Sequence, residues 1–222
     1  MRESRRPRAK TRPNLPTPGP LLAPRSPESV VRDLIQQTAG ISSPEPLESP
    51  RSVAPIEDPV RILFMDLDGT LTNGVITYDT RGDQRHFFIR DGLSLQWAMQ
   101  HGIRPVVISG RSSKAAELRM KDLSLEYYFG IQDKVAVADR IRRRENVEWR
   151  QCAMVGDDLP DVALMKRVGW PIAVADAVPQ VKQVARTVTL ARAGYGAIRE
   201  VVECILRHNG VWAHVLARYE AT

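Results

Sequence analysis

Long apolar runs are missing from this chain. No stretch of its 222 residues approaches the roughly 20 consecutive apolar side chains that span a bilayer, which argues against a membrane-crossing helix. Cysteine is almost absent. Cys152 and Cys204 are isolated thiols without CxxC spacing, which excludes a disulfide framework and a zinc site of the usual kind. Both sit among apolar neighbours and are expected to be reduced core residues of a cytoplasmic protein. The N-terminus is basic but has no apolar segment of the kind a secretory signal needs. It is Arg-rich and acid-poor, as a transit peptide would be, yet its prolines oppose the amphipathic helix such a peptide forms.

The net charge of +6 first suggests a nucleic-acid ligand. Its distribution argues otherwise. Residues 1–25 hold seven basic side chains (Arg2, Arg5, Arg6, Arg8, Lys10, Arg12 and Arg25) against Glu3, which accounts for the whole excess. Residues 26–222 are electrically balanced. Eleven of the sixteen prolines lie in residues 1–58, a composition that buries too little apolar surface to offset ordering. Residues 1–58 are therefore expected to be a disordered leader. Within it, Val30, Val31, Leu34 and Ile35 stand at helical spacing before Gly40, so 26–40 is either a docking helix or part of a solvated tail.

From residue 59 apolar stretches of strand length alternate with helical periods. The strands RILFM (61–65), RPVVIS (104–109), EYYF (126–129), CAMVG (152–156) and PIAV (171–174) carry almost no polar positions. The helical stretches are 91–102, 112–123, 133–144, 159–168 and 196–210. Strands apolar on both faces alternating with amphipathic helices define an α/β domain over 59–222, a doubly wound, mainly parallel sheet. Residues 75–90, VITYDTRGDQRHFFIR, break the rhythm and read as a β-hairpin inserted after the first strand.

In such a sheet ligands bind beyond the carboxyl ends of the strands. The first strand ends in Asp66 and Asp68, the second in Ser109, Gly110 and Arg111, and a later one in Asp157 and Asp158 with Asp161 following; Lys134 opens a helix. Each has a bland reading: DxD can cap a turn, GDDxxD can cap a helix, Ser-Gly-Arg can be a loop and Lys134 a surface lysine. Their joint placement at strand ends points instead to a crevice for a divalent cation and a phosphoryl group. Mg²⁺ takes hard oxygen ligands, carboxylates form aspartyl-phosphates, and an ammonium and a hydroxyl can neutralise the phosphoryl oxygens. Residues two apart in an extended strand end project to one side, so Asp66 and Asp68 are expected to face the crevice together.

DLDGTLTNG (66–74), VVISGR (106–111), Lys134 and GDDLPD (156–161) resemble the four motifs of the haloacid dehalogenase-like phosphatases, and the resemblance covers residues 60–208. It implies a Rossmann-like fold with Asp66 as nucleophile and Asp68 as acid and then base. It also implies Mg²⁺ held by the Asp66 carboxylate, the Asp68 carbonyl and Asp157, with Asp158 or Asp161 behind, and Ser109 and Lys134 on the phosphoryl group. Only 42 residues separate Asp66 from Ser109 and 24 separate Ser109 from Lys134, which leaves no room for a cap domain. The crevice is thus open to water and large substrates, or a neighbouring subunit covers it through the hairpin with Phe87 and Phe88.

FFIRDGLSLQWA (87–98), 109–123, 166–181 and GAIREV (196–201) resemble the capless, tetrameric phosphatases of 3-deoxy-D-manno-octulosonate 8-phosphate, which serve lipopolysaccharide synthesis. That likeness implies a homotetramer acting on a small sugar phosphate, with Arg90, Asp91, Gly110 and Arg111 near the sugar. A strand-end ion pair for Arg90 and a helix cap for Asp91 are the structural alternatives. Two positions depart from the subfamily: Asn73 replaces an aspartate, and Tyr195 replaces an arginine before GAIRE. Tyrosine offers one hydroxyl where arginine offers a charged fork. Phosphatases of nine-carbon sugar-acid phosphates, or a catalytically idle assembly module of this fold, are the competing readings.

Overall fold

Six parallel strands account for most of the apolar segments read above. The computed structural model describes residues 56–80 and 82–220. The basic start and the 26–40 segment lie outside these residues. The strands are β1 (Ile62–Met65), β4 (Arg104–Ser109), β5 (Glu126–Phe129), β6 (Cys152–Gly156), β7 (Trp170–Ala173) and β8 (Thr187–Val188). Their order across the sheet is β5-β4-β1-β6-β7-β8, and every neighbouring pair runs parallel. Helices cover both faces, so Leu63, Phe64, Met65, Val106, Val107, Ile108, Met154 and Val155 are wholly buried. This is why these strands lack the polar alternation of a one-sided sheet.

The helices are α1 (Ile89–Gln100), α2 (Lys114–Asp122), α3 (Lys134–Arg144), α4 (Val162–Met165), α5 (Pro179–Val184), α6 (Ala197–His208) and α7 (Trp212–Glu220). None is long and apolar enough to cross a membrane among the described residues. In α6 the buried residues Ile198, Val201, Val202, Ile205 and Leu206 follow the i, i+3, i+4, i+7, i+8 stripe of a helix lying on a core, and α6 packs against α1. Cys204 falls off that stripe. It is exposed, contrary to the expectation that both thiols are core residues, whereas Cys152 in β6 is buried and its thiol is pushed up to about 12 by desolvation.

The inserted hairpin is shorter than expected. Its strands, β2 (Thr77–Asp79) and β3 (Gly82–Gln84), pair antiparallel and stand apart from the main sheet. Helix α1 begins at Ile89, two residues before the expected start, so Ile89 and Arg90 are helical rather than part of a strand. Phe88 occupies the cap position, and Asp91 lies inside the first turn rather than capping it. The expected helix at 159–168 is a 3₁₀ turn, Leu159–Asp161, followed by the single turn of α4.

Chain order decides where a ligand can enter. After β1 the chain builds β4 and β5 on one side, then returns to build β6, β7 and β8 on the other. The reversal leaves a crevice beyond the carboxyl end of β1, between the loops that follow β4 and β6.

Candidate active site

Asp66 is the first residue past β1, and its N–H donates to the Val155 carbonyl of β6 at 3.1 Å. A tight turn, Leu67–Leu71, follows, closed by the Thr72 N–H on the Leu67 carbonyl at 3.0 Å. Gly69 adopts φ +89° in that turn, and a Cβ there would lie 2.2 Å from Asp157 Oδ2. Only glycine lets the turn approach the end of β6 so closely.

Lys134 is the first residue of α3. It begins the stripe Lys134, Val137, Ala138, Ile141 that the helix turns toward the core, while Asp133 caps the helix by accepting the Ala136 N–H at 3.0 Å. The spacing that buries the helix therefore buries the ammonium too, at 5% exposure. Its Nζ donates to Asp66 Oδ1 at 2.6 Å and to Asp161 Oδ1 at 2.7 Å. The other Asp161 oxygen accepts the N–H groups of Asp157 (3.0 Å) and Asp158 (3.4 Å), while Asp158 accepts the Leu159 N–H at 2.7 Å. GDDLPD thus caps its own turn and supplies the site as well. Thr70, buried in the turn after β1, donates its hydroxyl to Asp157 Oδ1 at 2.8 Å.

Asp66, Asp157 and Asp161 each bring one carboxylate oxygen within 4.8 Å of the others. Burial raises the Asp66 carboxyl to about 6, with the Asp161 charge adding to it and Lys134 opposing. Burial raises Asp157 to about 7; the Thr70 hydrogen bond opposes the shift, and the charges of Asp66, Asp161 and Asp158 reinforce it. Burial depresses Lys134, but the two aspartates outweigh it and its net shift is upward. Three carboxylates around one ammonium leave an excess of negative charge facing a crevice, a donor set suited to a hard divalent cation.

Asp68 does not join this cluster. Its carboxylate turns to Arg85, which donates from Nε to Oδ1 at 2.6 Å and from Nη2 to Oδ2 at 3.1 Å. The Arg111 Nε stands 3.9 Å from Asp68 Oδ2. The two aspartates of the first motif thus serve separate partners, Asp66 with Lys134 and Asp68 with Arg85, although the backbone stays extended at both, with φ −75° and ψ 171° at Asp66 and φ −84° and ψ 112° at Asp68.

Ser109 ends β4, nearly buried, and its Oγ accepts the Arg111 N–H at 3.2 Å. Gly110 and Arg111 are exposed, and Arg111 donates to the Tyr78 hydroxyl of the hairpin at 2.7 Å. Arg90 is exposed, its guanidinium 5.8 Å from the Phe88 ring; the structure shows no strand-end role for it. Asp91 is 1% exposed and faces α6, accepting the Arg199 N–H at 2.8 Å. Burial raises its carboxyl to about 6 against the N–H groups of Arg199 and Gly196. Thr70 and Arg85 escaped the sequence reading. Thr70 lies inside the DGT motif and could have been marked; Arg85 carries no sequence signal.

The fold, the switch-point crevice and the lysine-bridged carboxylates define a haloacid dehalogenase-like hydrolase. The family model described as haloacid dehalogenase-like hydrolase matches residues 130–201. The chain belongs to this family and is a phosphoric monoester hydrolase. Within it, the chain is similar to the 3-deoxy-D-manno-octulosonate 8-phosphate phosphatases KdsC. That of Haemophilus influenzae is 33% identical over 153 residues, 68% of this chain and 85% of the relative. That of Escherichia coli strain K12 is 34% identical over 153 residues, 68% and 81% of the two chains. Among solved structures, the phosphatase of that name from Moraxella catarrhalis, in complex with magnesium ion, phosphate ion and a KDO molecule, superposes with a TM-score of 0.70 at 33% identity, covering 72% of this chain and 93% of its own. The cobalt-bound H. influenzae enzyme gives 0.66 at 32% identity, covering 69% and 91%.

Proposed function

We propose that this chain is a Mg²⁺-dependent phosphatase hydrolysing 3-deoxy-D-manno-octulosonate 8-phosphate to the free sugar acid and phosphate. The observation that carries the reading is the meeting of Asp66, Asp157, Asp161 and Lys134 at the switch point, in a chain whose relatives bear that activity in their names. Asp66 attacks phosphorus and becomes an aspartyl-phosphate. Asp68 gives a proton to the departing sugar oxygen and later takes one from the attacking water. The Asp66 carboxylate, the Asp68 carbonyl and Asp157 would hold Mg²⁺, which when bound supplies positive charge to the phosphoryl oxygens. Ser109 and Lys134 hold the phosphoryl group, with Gly110, Arg90, Asp91 and Arg111 toward the sugar.

The enzyme works as a cytoplasmic homotetramer in lipopolysaccharide synthesis, the hairpin forming part of the subunit contact. Phe87 packs against the core, and the exposed apolar side chains here are Val75, Tyr78 and Ile89. A light-scattering mass of a single chain would remove the tetramer.

Phosphate release from a panel of sugar phosphates, with and without EDTA, tests the activity. The eight-carbon acid is expected to be preferred, and Asp66→Asn and EDTA each abolish release. Metal-independent release, or full activity in Asp66→Asn, would sink the reading. Tyr195 favours a second substrate. It is 61% exposed where the subfamily carries arginine, and nearby Arg192 is already paired with Asp176 at 3.2 Å. A nine-carbon sugar-acid 9-phosphate in the same panel decides between the two.

A further inference from the structure

Arg85 lies just beyond β3, and its side chain is only 1% exposed. It grips both oxygens of Asp68 with Nε and Nη2, and its Nη1 faces Asp83 on the hairpin. Two residues further, Phe87 bridges antiparallel to Thr72. The segment 85–87 is thereby tied back onto the turn that carries Asp68.

A guanidinium has donors only, so it holds both oxygens as acceptors. A two-point fork fixes the rotation and the tilt of the carboxylate together, which a single ammonium cannot do. We propose that Arg85 is a positioning residue for the half-reaction in which Asp68 accepts a proton, the hydrolysis of phosphorylated Asp66. The proposal rests on the phosphatase reading above. In this step the water oxygen bonds to phosphorus, and the bond from phosphorus to the Asp66 oxygen breaks. Its electron pair restores the Asp66 carboxylate. One water proton passes to Asp68, and the other leaves on the phosphate. The hairpin then has a chemical duty, because it delivers the group that aims the base.

Arg85→Met reacted with p-nitrophenyl phosphate and Mg²⁺ tests this. Nitrophenolate departs without needing a proton, so phosphorylation of Asp66 bypasses the acid role of Asp68. The variant is expected to release a burst of about one equivalent of nitrophenolate per chain, with phospho-enzyme trapped by acid quench. Its steady-state rate then falls about 100-fold below the unaltered chain, and KM falls with kcat because the later step limits. Arg85→Lys, which keeps the charge without the fork, lies between the two. A burst slowed in proportion to the steady state, or an unchanged steady state, would overturn the proposal. The burst itself requires a folded site, and if the Met variant does not fold, the Lys variant carries the same comparison. An unaltered chain that releases no nitrophenolate defeats the phosphatase reading. An active chain whose variants accumulate no phospho-enzyme defeats only the role of Arg85.

Discussion

The ammonium of Lys134 sits 2.6 Å from Asp66 Oδ1 and holds Asp161 with another of its hydrogens. One cation from the start of a helix thus binds the ends of β1 and the β6 loop together. Removing one member of a buried ion pair leaves an uncompensated charge and costs about 3–5 kcal/mol. Lys134→Met is expected to lose that stability in urea unfolding with EDTA present and to lose phosphatase activity. Added Mg²⁺ should recover part of the stability, because a cation again faces the carboxylates. Unchanged stability in EDTA would show that the pair contributes nothing to the fold.

Asp91 sets a pH dependence away from the carboxylate cluster. Its folded carboxyl lies near 6, above the ordinary 3.8. A raised value means that the folded chain binds the proton more tightly, so the contribution is present below about pH 4 and is lost as pH rises through about 6. Asp91→Asn keeps an oxygen for the Arg199 N–H without the buried charge. The variant should be more stable than the native chain at pH 8 by about 1–3 kcal/mol, with the gap closing toward pH 4. Urea unfolding at the two pH values checks it. An unchanged KM marks Asp91 as the tie between α1 and α6, and a raised KM without gained stability marks it as a substrate ligand.

Gly69 stands at φ +89° against Asp157. Gly69→Ala places a methyl group on the carboxylate and strains the turn. Displacing a group that orients a ligand costs about 10- to 100-fold in metal affinity, which calorimetric titration with Mg²⁺ would measure. An unaltered affinity would show that Asp157 does not hold the cation.

Much of this was readable from residues alone, for identifiable reasons. The ILFM, PVVIS and CAMVG stretches have one environment open to them, the middle of a sheet covered on both faces, and their parallel alignment brings Asp66, Ser109 and Asp157 to one edge. Lys134 was legible because it opens a helix between two of those strand ends; the stripe that buries it with Val137 and Ile141 appears only in the fold. Arg85 was not, since its partner is determined only when a hairpin with three-residue strands folds back. The cap alternative for Asp91 failed because the cap position depends on where α1 starts, and nothing before Ile89 marks that start. Strand β8, with two residues, is too short to show a period. Helix α7 rests partly on contacts far away in sequence, where Trp97 donates to the Tyr219 hydroxyl at 2.9 Å and meets the Trp212 ring edge-on.

Gly194 has a backbone conformation of φ +66°, and a Cβ there would lie 2.3 Å from the Asn73 nitrogen. Its own N–H reaches toward the Thr70 carbonyl at 3.4 Å. The turn that follows the nucleophile is therefore backed by chain made long after the nucleophile itself. A nascent polypeptide that has already exposed Asp66, Lys134 and Asp157 still lacks this backing. The site is therefore complete only when a segment that follows all of its motif residues has folded back against that turn.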